Sequence, residues 1–150
     1  MTEDVKAAVM LGPRRMNCQT FPMPRINEDS AVVSMIGSGI CGTDKHMFSG
    51  QTELVLPGAS VNFPVIPGHE NLGVIYAIGA NASQKMVTAG PPLTKGERVV
   101  ISADIVCGQC YYCRNIYGYP WCLNHRSYGD VISCKDPPHL FGGWAEMMYI

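Results

Sequence analysis

The chain has 150 residues, 47% of them hydrophobic and 15% charged, with a formal net charge of −1. That length suits one domain with its own core, and the composition argues against disorder. A nearly neutral chain makes no field that gathers nucleic acid or anionic lipid, so neither partner is expected.

The amino-terminal MTEDVKAAVML has acidic residues where a secretory leader needs basic ones, and its apolar run is short. No stretch approaches the ~18–20 apolar residues of a membrane span, so a soluble, cytoplasmic protein is expected. Short apolar runs broken by Gly and Pro are frequent and helical periodicity is scarce, which predicts a mainly β fold. In chain order the predicted strands are Lys6–Leu11, Arg14–Thr20, Ala31–Gly37, Asn71–Gly79, Arg98–Ser102 and Ala145–Ile150. One helical turn is predicted, Thr43–Phe48, just after the glycines at 37, 39 and 42. Strands of this length with turns between them suggest a sandwich or a partly open barrel. Two segments read as long loops: Gln51–Pro67, with three prolines, and Asn81–Gly96, which contains AGPPLTKG. Such loops are often functional or mobile. The second reads equally well as a surface insertion without a role.

Seven cysteines in a reducing compartment point to metal before disulfides. Cys107, Cys110, Cys113 and Cys122 fall in VCGQCYYCRNIYGYPWCLN, a lobe of about residues 104–126. Two consecutive C-x2-C steps let one tight turn aim several sulfurs at a point, and the returning chain supplies the fourth. Four thiolates about 2.3 Å from a zinc ion close a tetrahedron with no position for substrate, so the site is structural. Two disulfides are the competing reading, disfavoured by the awkward spacing and by the missing export signal. An iron–sulfur cluster also uses four cysteines. Tyr111, Tyr112, Tyr117, Tyr119 and Trp121 are expected to pack this lobe.

A second constellation spans SGICGTDKHMFSG (38–50) and IPGHENLGVIYAIG (66–79), with Cys41, His69 and Glu70 as candidate ligands. A thiolate, an imidazole and a carboxylate form the mixed set found where zinc keeps an open, reactive position. Neighbouring residues on a regular strand face opposite ways, so His69 and Glu70 share an ion only at a turn, which Pro67-Gly68 could supply. Taken alone, a buried cysteine and a His-Glu pair are more often structural.

Together these stretches resemble the medium-chain, zinc-dependent dehydrogenases, the family of alcohol, polyol and threonine dehydrogenases. The motifs run in the family's order: Cys-Gly-Thr-Asp with a trailing His, Gly-His-Glu, Gly-Glu-Arg-Val, the cysteine lobe, then GGWAE. The resemblance implies a GroES-like, partly open β-barrel over residues 1–150, the catalytic domain of a larger enzyme that continues into a Rossmann domain. It implies that Cys41 and His69 ligate a catalytic zinc. Glu70 would be a direct ligand as in polyol-dehydrogenase-like members, or would approach the metal only transiently. Thr43 would hydrogen-bond the substrate hydroxyl, and His46, on the same face of the helical turn, would pass the proton to solvent through the cofactor ribose. A further ligand in many members lies past Ile150, with water filling the gap here. Gly42 stands where many alcohol dehydrogenases carry Arg or His, which leans the substrate towards secondary alcohols or polyols. The step from Cys113 to Cys122 is a residue longer than usual, and Cys18 and Cys134 match no ligand position.

No Gly-x-Gly-x-x-Gly follows a strand and opens a helix, and GSGICG (37–42) is no substitute, because its third glycine comes early and Cys41 interrupts it. These residues alone are therefore expected to bind NAD(P) weakly or not at all and to be inactive. The complete enzyme is expected to interconvert an alcohol and its aldehyde or ketone with NAD or NADP, as a homodimer or homotetramer. Two other readings compete: a GroES-like scaffold whose single metal is structural, and a zinc-ribbon nucleic-acid binder. The lack of clustered basic residues disfavours the second.

Overall fold

The computed structural model describes residues 4–54, 60–86, 88–116 and 121–150. Its first element is an antiparallel hairpin of β1 (Asp4–Gly12) and β2 (Arg15–Pro22), in register from Asp4–Pro22 to Met10–Met16. Arg14, expected in the second strand, instead sits in the connecting turn with φ 58°. Along β1 the alternation is legible: Val5, Ala7 and Val9 are buried while Asp4 and Lys6 are exposed.

A second, four-stranded sheet has the order β5-β4-β3-β8, built from β3 (Ala31–Ser38), β4 (Asn71–Ile78), β5 (Arg98–Ile101) and β8 (Met147–Tyr149). Every neighbouring pair is antiparallel. Single bridges, Ala7 to Ala145 and Met10 to Val65, tie the hairpin to the rest of the chain, so the strands wrap without closing. The expected strand 145–150 is thus a bridge residue followed by a three-residue strand. The core lies between β1 and the segments that cross it, with Val5, Ala7, Val9, Ile66, Cys134 and Leu140 in one cluster and Met10, Met47 and Val65 in another. Cys134 is buried at 2% exposure and Cys18 is exposed.

The helical content exceeds the single expected turn. Besides α1 (Gly42–Ser49) there are α2 (Ala80–Lys85) and α3 (Tyr111–Asn115), plus a 3-10 turn at Thr52–Leu54. The segment predicted as a loop from Asn81 therefore opens as a helix. Its anchor is Ala82, buried at 3% exposure, whose N–H bonds to the Glu28 carbonyl. Six residues are too few to show a 3.6-residue period. The middle of the Gln51–Pro67 loop lies outside the described residues, as do Tyr117 and Tyr119 of the cysteine lobe. No helix among the described residues is long and apolar enough to cross a membrane.

Candidate functional site

Cys41 and His69 are separated by 28 positions in sequence, and their Sγ and Nε2 lie 3.0 Å apart. Two local structures make this meeting. Cys41 is the N-cap of α1: its Sγ accepts the Thr43 N–H at 3.2 Å, and its own N–H bonds to Asp44 Oδ2 at 2.9 Å. These reciprocal bonds form a capping box that fixes where the helix starts and where the sulfur points. His69 stands at the mouth of β4, two residues before the first β4 residue past the turn at Gly68, and β4 pairs with β3, the strand that leads into Cys41. Pairing the strands brings the two ligand types together.

The donor set is one that could hold a cation. A tetrahedral zinc would hold sulfur and nitrogen about 3.5 Å apart, within about half an ångström of the observed spacing. Asp44, buried at 2% exposure, joins Cys41 and His69 in a group of ligand-type atoms all within 4.8 Å of one another. Its Oδ1 and the Nδ1 of His69 are both buried without a hydrogen-bond partner. Sequence reasoning missed Asp44. The signal was present, since an acidic residue three positions past an N-cap is a helix-start signature.

Glu70 is not in that group. The residue is exposed and its side chain lies across Gly39, filling the space where a β-carbon would stand. The two were expected to share an ion only at a turn, which Pro67-Gly68 could supply. The left-handed residue is Gly68, with φ 93°, and it precedes both. Glu70 itself lies in a bend, with its carboxylate against Gly39. Thr43 and His46 lie on α1, half-buried and one turn apart.

The four cysteines of the lobe converge. Their sulfurs all lie within 4.8 Å of one another, with Cys107–Cys113 at 3.9 Å and Cys110–Cys113 at 3.4 Å. Corners of a zinc–tetrathiolate would be about 3.8 Å apart, whereas a disulfide needs about 2.0 Å. The short pair β6 (Asp104–Ile105) and β7 (Arg126–Ser127) closes the base of the lobe, braced by His125 Nε2 to Asp104 Oδ1 at 2.8 Å. The electrostatics also call for a cation. Backbone N–H groups of Gln109 and Cys110 draw the Cys107 thiol down to about 6, while desolvation and the neighbouring thiols of Cys110 and Cys122 push Cys113 up to about 12. One sulfur ionises readily and then holds the proton on its neighbour, a conflict that a dipositive ion removes. Of the lobe's aromatics, Tyr111 and Trp121 are 66% and 61% exposed rather than packed inside.

Residues 27–150 match the family model described as the alcohol dehydrogenase GroES-like domain. The chain is a GroES-like domain of the medium-chain, zinc-dependent alcohol dehydrogenase family. It is 36% identical over 149 residues to a probable alcohol dehydrogenase of Mycobacterium tuberculosis, a match that spans 97% of the chain and 37% of that protein. It is 33% identical over 112 residues to the sorbitol dehydrogenase of Bacillus subtilis, across 75% of the chain and 29% of the relative. The fold of an alcohol dehydrogenase from Thermotoga maritima superposes with a TM-score of 0.83 at 28% identity, over 99% of the chain and 38% of that structure. The chain thus spans less than two fifths of the length of the relatives it matches.

Proposed function

We propose that the chain is the catalytic half of a zinc-dependent alcohol dehydrogenase, which interconverts an alcohol, a secondary alcohol or polyol by preference, and its carbonyl product. The observation that carries this is the convergence of Cys41 Sγ and His69 Nε2 from two separate elements, beside a helix that bears Thr43 and His46. In this reading Cys41 and His69 hold the catalytic zinc. Asp44 stands behind them, and Glu70 swings in from Gly39 when its carboxylate is needed. The metal supplies Lewis acidity that lowers the pKa of an alcohol hydroxyl, and NAD or NADP, held by a Rossmann domain beyond these residues, takes the hydride.

The chain's own part is positional and protonic. Thr43 accepts the hydrogen bond of the substrate hydroxyl, and His46, on the same helical face, carries the released proton towards water. Cys107, Cys110, Cys113 and Cys122 hold a second, structural zinc whose binding energy keeps the lobe folded. The active form is a soluble, cytoplasmic homodimer or homotetramer of the complete chain.

Cys41→Ser in the complete enzyme is expected to abolish turnover and remove one zinc per chain while the lobe keeps the other. Full turnover by a variant with an empty Cys41–His69 centre would overturn the assignment. One zinc per chain in the unaltered, fully loaded protein would favour the scaffold reading instead.

A further inference from the structure

Along β4 the residues alternate between buried and outward-facing, and the inward positions are Asn71, Gly73 and Ile75. Asn71 is out of place there, a primary amide at 2% exposure in a row otherwise given to apolar packing. Burying an amide is unfavourable unless its groups are engaged, so its partners show what it is for. Its Nδ2 donates back to the Gly68 carbonyl at 3.2 Å. The same carbonyl accepts the Gly143 N–H at 2.9 Å. Two donors on one oxygen fix the orientation of the Gly68–His69 peptide plane, and that plane sets the direction in which the His69 side chain leaves the backbone.

The other end of the amide has no partner. Asn71 Oδ1 and Ser38 Oγ are both buried and neither makes a hydrogen bond. The β3–β4 register pairs these two residues directly. Both atoms crowd the single point where a β-carbon on Gly143 would stand, with Ser38 Oγ 2.6 Å from it. The two atoms are packed in one place without being hydrogen-bonded, and Asn71 is held by its Nδ2 donor alone. Gly143 must lack a side chain for the amide to sit there. The following residue, Trp144, holds the same turn by donating its N–H to the Pro67 carbonyl at 3.0 Å and its Nε1–H to Gly39 at 3.1 Å.

We propose that Asn71, backed by Ser38 and admitted by Gly143, is a positioning residue for the Cys41–His69 metal centre: it locks the Gly68–His69 peptide so that the imidazole meets the thiolate. The proposal rests on the reading that Cys41 and His69 bind the catalytic metal. Asn71→Asp keeps the shape and loses the N–H donor, Asn71→Ala loses both ends, and Ser38→Ala loses only the backing. Ile75→Ala, the next inward residue but one, weakens the same strand without touching the turn.

The test is cobalt(II) binding to the complete, metal-stripped protein, followed by the d–d bands of the Cys/His centre and, separately, the sulfur-to-metal bands of the four-cysteine lobe. Asn71→Asp and Asn71→Ala are expected to weaken the Cys/His centre about tenfold or more and to shift its bands, with a smaller loss for Ser38→Ala and no change at the lobe. Ile75→Ala is expected to lower the melting temperature and leave cobalt affinity unaltered. Unaltered cobalt binding by both Asn71 variants, or a loss at both centres matched by Ile75→Ala, overturns the proposal. His69→Ala serves as the control: if it still takes up two cobalt ions, the metal reading itself has failed and the proposal falls with it.

Discussion

His69 and Glu70 are neighbours in sequence, yet only His69 joins the ligand-type atoms around Cys41, and the difference shows what single residues reveal. The residue types were readable as ligands because thiol, imidazole and carboxylate are the groups that bind zinc. Their directions were not readable, because direction depends on the Gly68 dihedral and on the packing of residues 129 and 142–144 around it. Asp130 makes the same point for charge. It is buried at 6% exposure, accepts hydrogen bonds from Ser127 and from the Val131 N–H, and is still pushed above the ordinary carboxylate value by desolvation. A carboxyl whose folded-state pKa is raised favours the fold while protonated. It costs stability as pH climbs from the unfolded value, about 3.9, through the folded one. Asp130→Asn keeps an oxygen for both donors and carries no charge. Thermal unfolding of the zinc-loaded protein from pH 4 to 8 is expected to show the variant gaining stability relative to wild type as pH rises. A constant difference across that range would contradict this account.

At the scale of elements, six strands were legible because alternation and Gly/Pro breaks are local signals, and their observed bounds move by a few residues at most. The short helices α2 and α3 were not legible. They are held by tertiary contacts, α2 by the buried Ala82 and by the bonds of Asn81 to Glu28 and Ser83 to Leu93, α3 by the cysteine turn, and neither is long enough to carry a pattern. The helix that matters for the site, α1, is set by its first turn. Asp44 bonds to the Cys41 N–H and Cys41 bonds to the Thr43 N–H, so removing the Asp44 carboxylate takes away half of the capping box that seats Cys41. Asp44→Ala is expected to cost about 1–2 kcal/mol in chemical denaturation and to weaken metal retention by the Cys41–His69 centre. Undiminished metal retention would reduce Asp44 to a helix cap.

For the whole molecule, the GroES-like fold and both ligand clusters follow from motifs spread through most of the chain. What the assembled structure adds is the coupling of protons to metal. With Cys107 drawn down to about 6 and Cys113 pushed up to about 12, the empty lobe holds protons at neutral pH that a bound zinc must displace. Zinc uptake by the stripped protein is therefore expected to acidify a weakly buffered solution, and its affinity to fall as pH drops from 8 to 6. Metal uptake with no proton release would show that the thiols were already ionised.

The two clusters also differ in how much of the chain must be in place before they exist. Cys107 and Cys122 are 15 positions apart, and their turn needs no distant strand; Cys41 and His69 meet only once β3 has found β4. Closing the shorter loop carries the smaller entropic cost and comes early, whereas a contact that waits on sheet pairing comes late. On the proposed reading, the lobe would seize its ion from a chain still largely unfolded, and the ion at Cys41 and His69 would enter only after the sheet has paired.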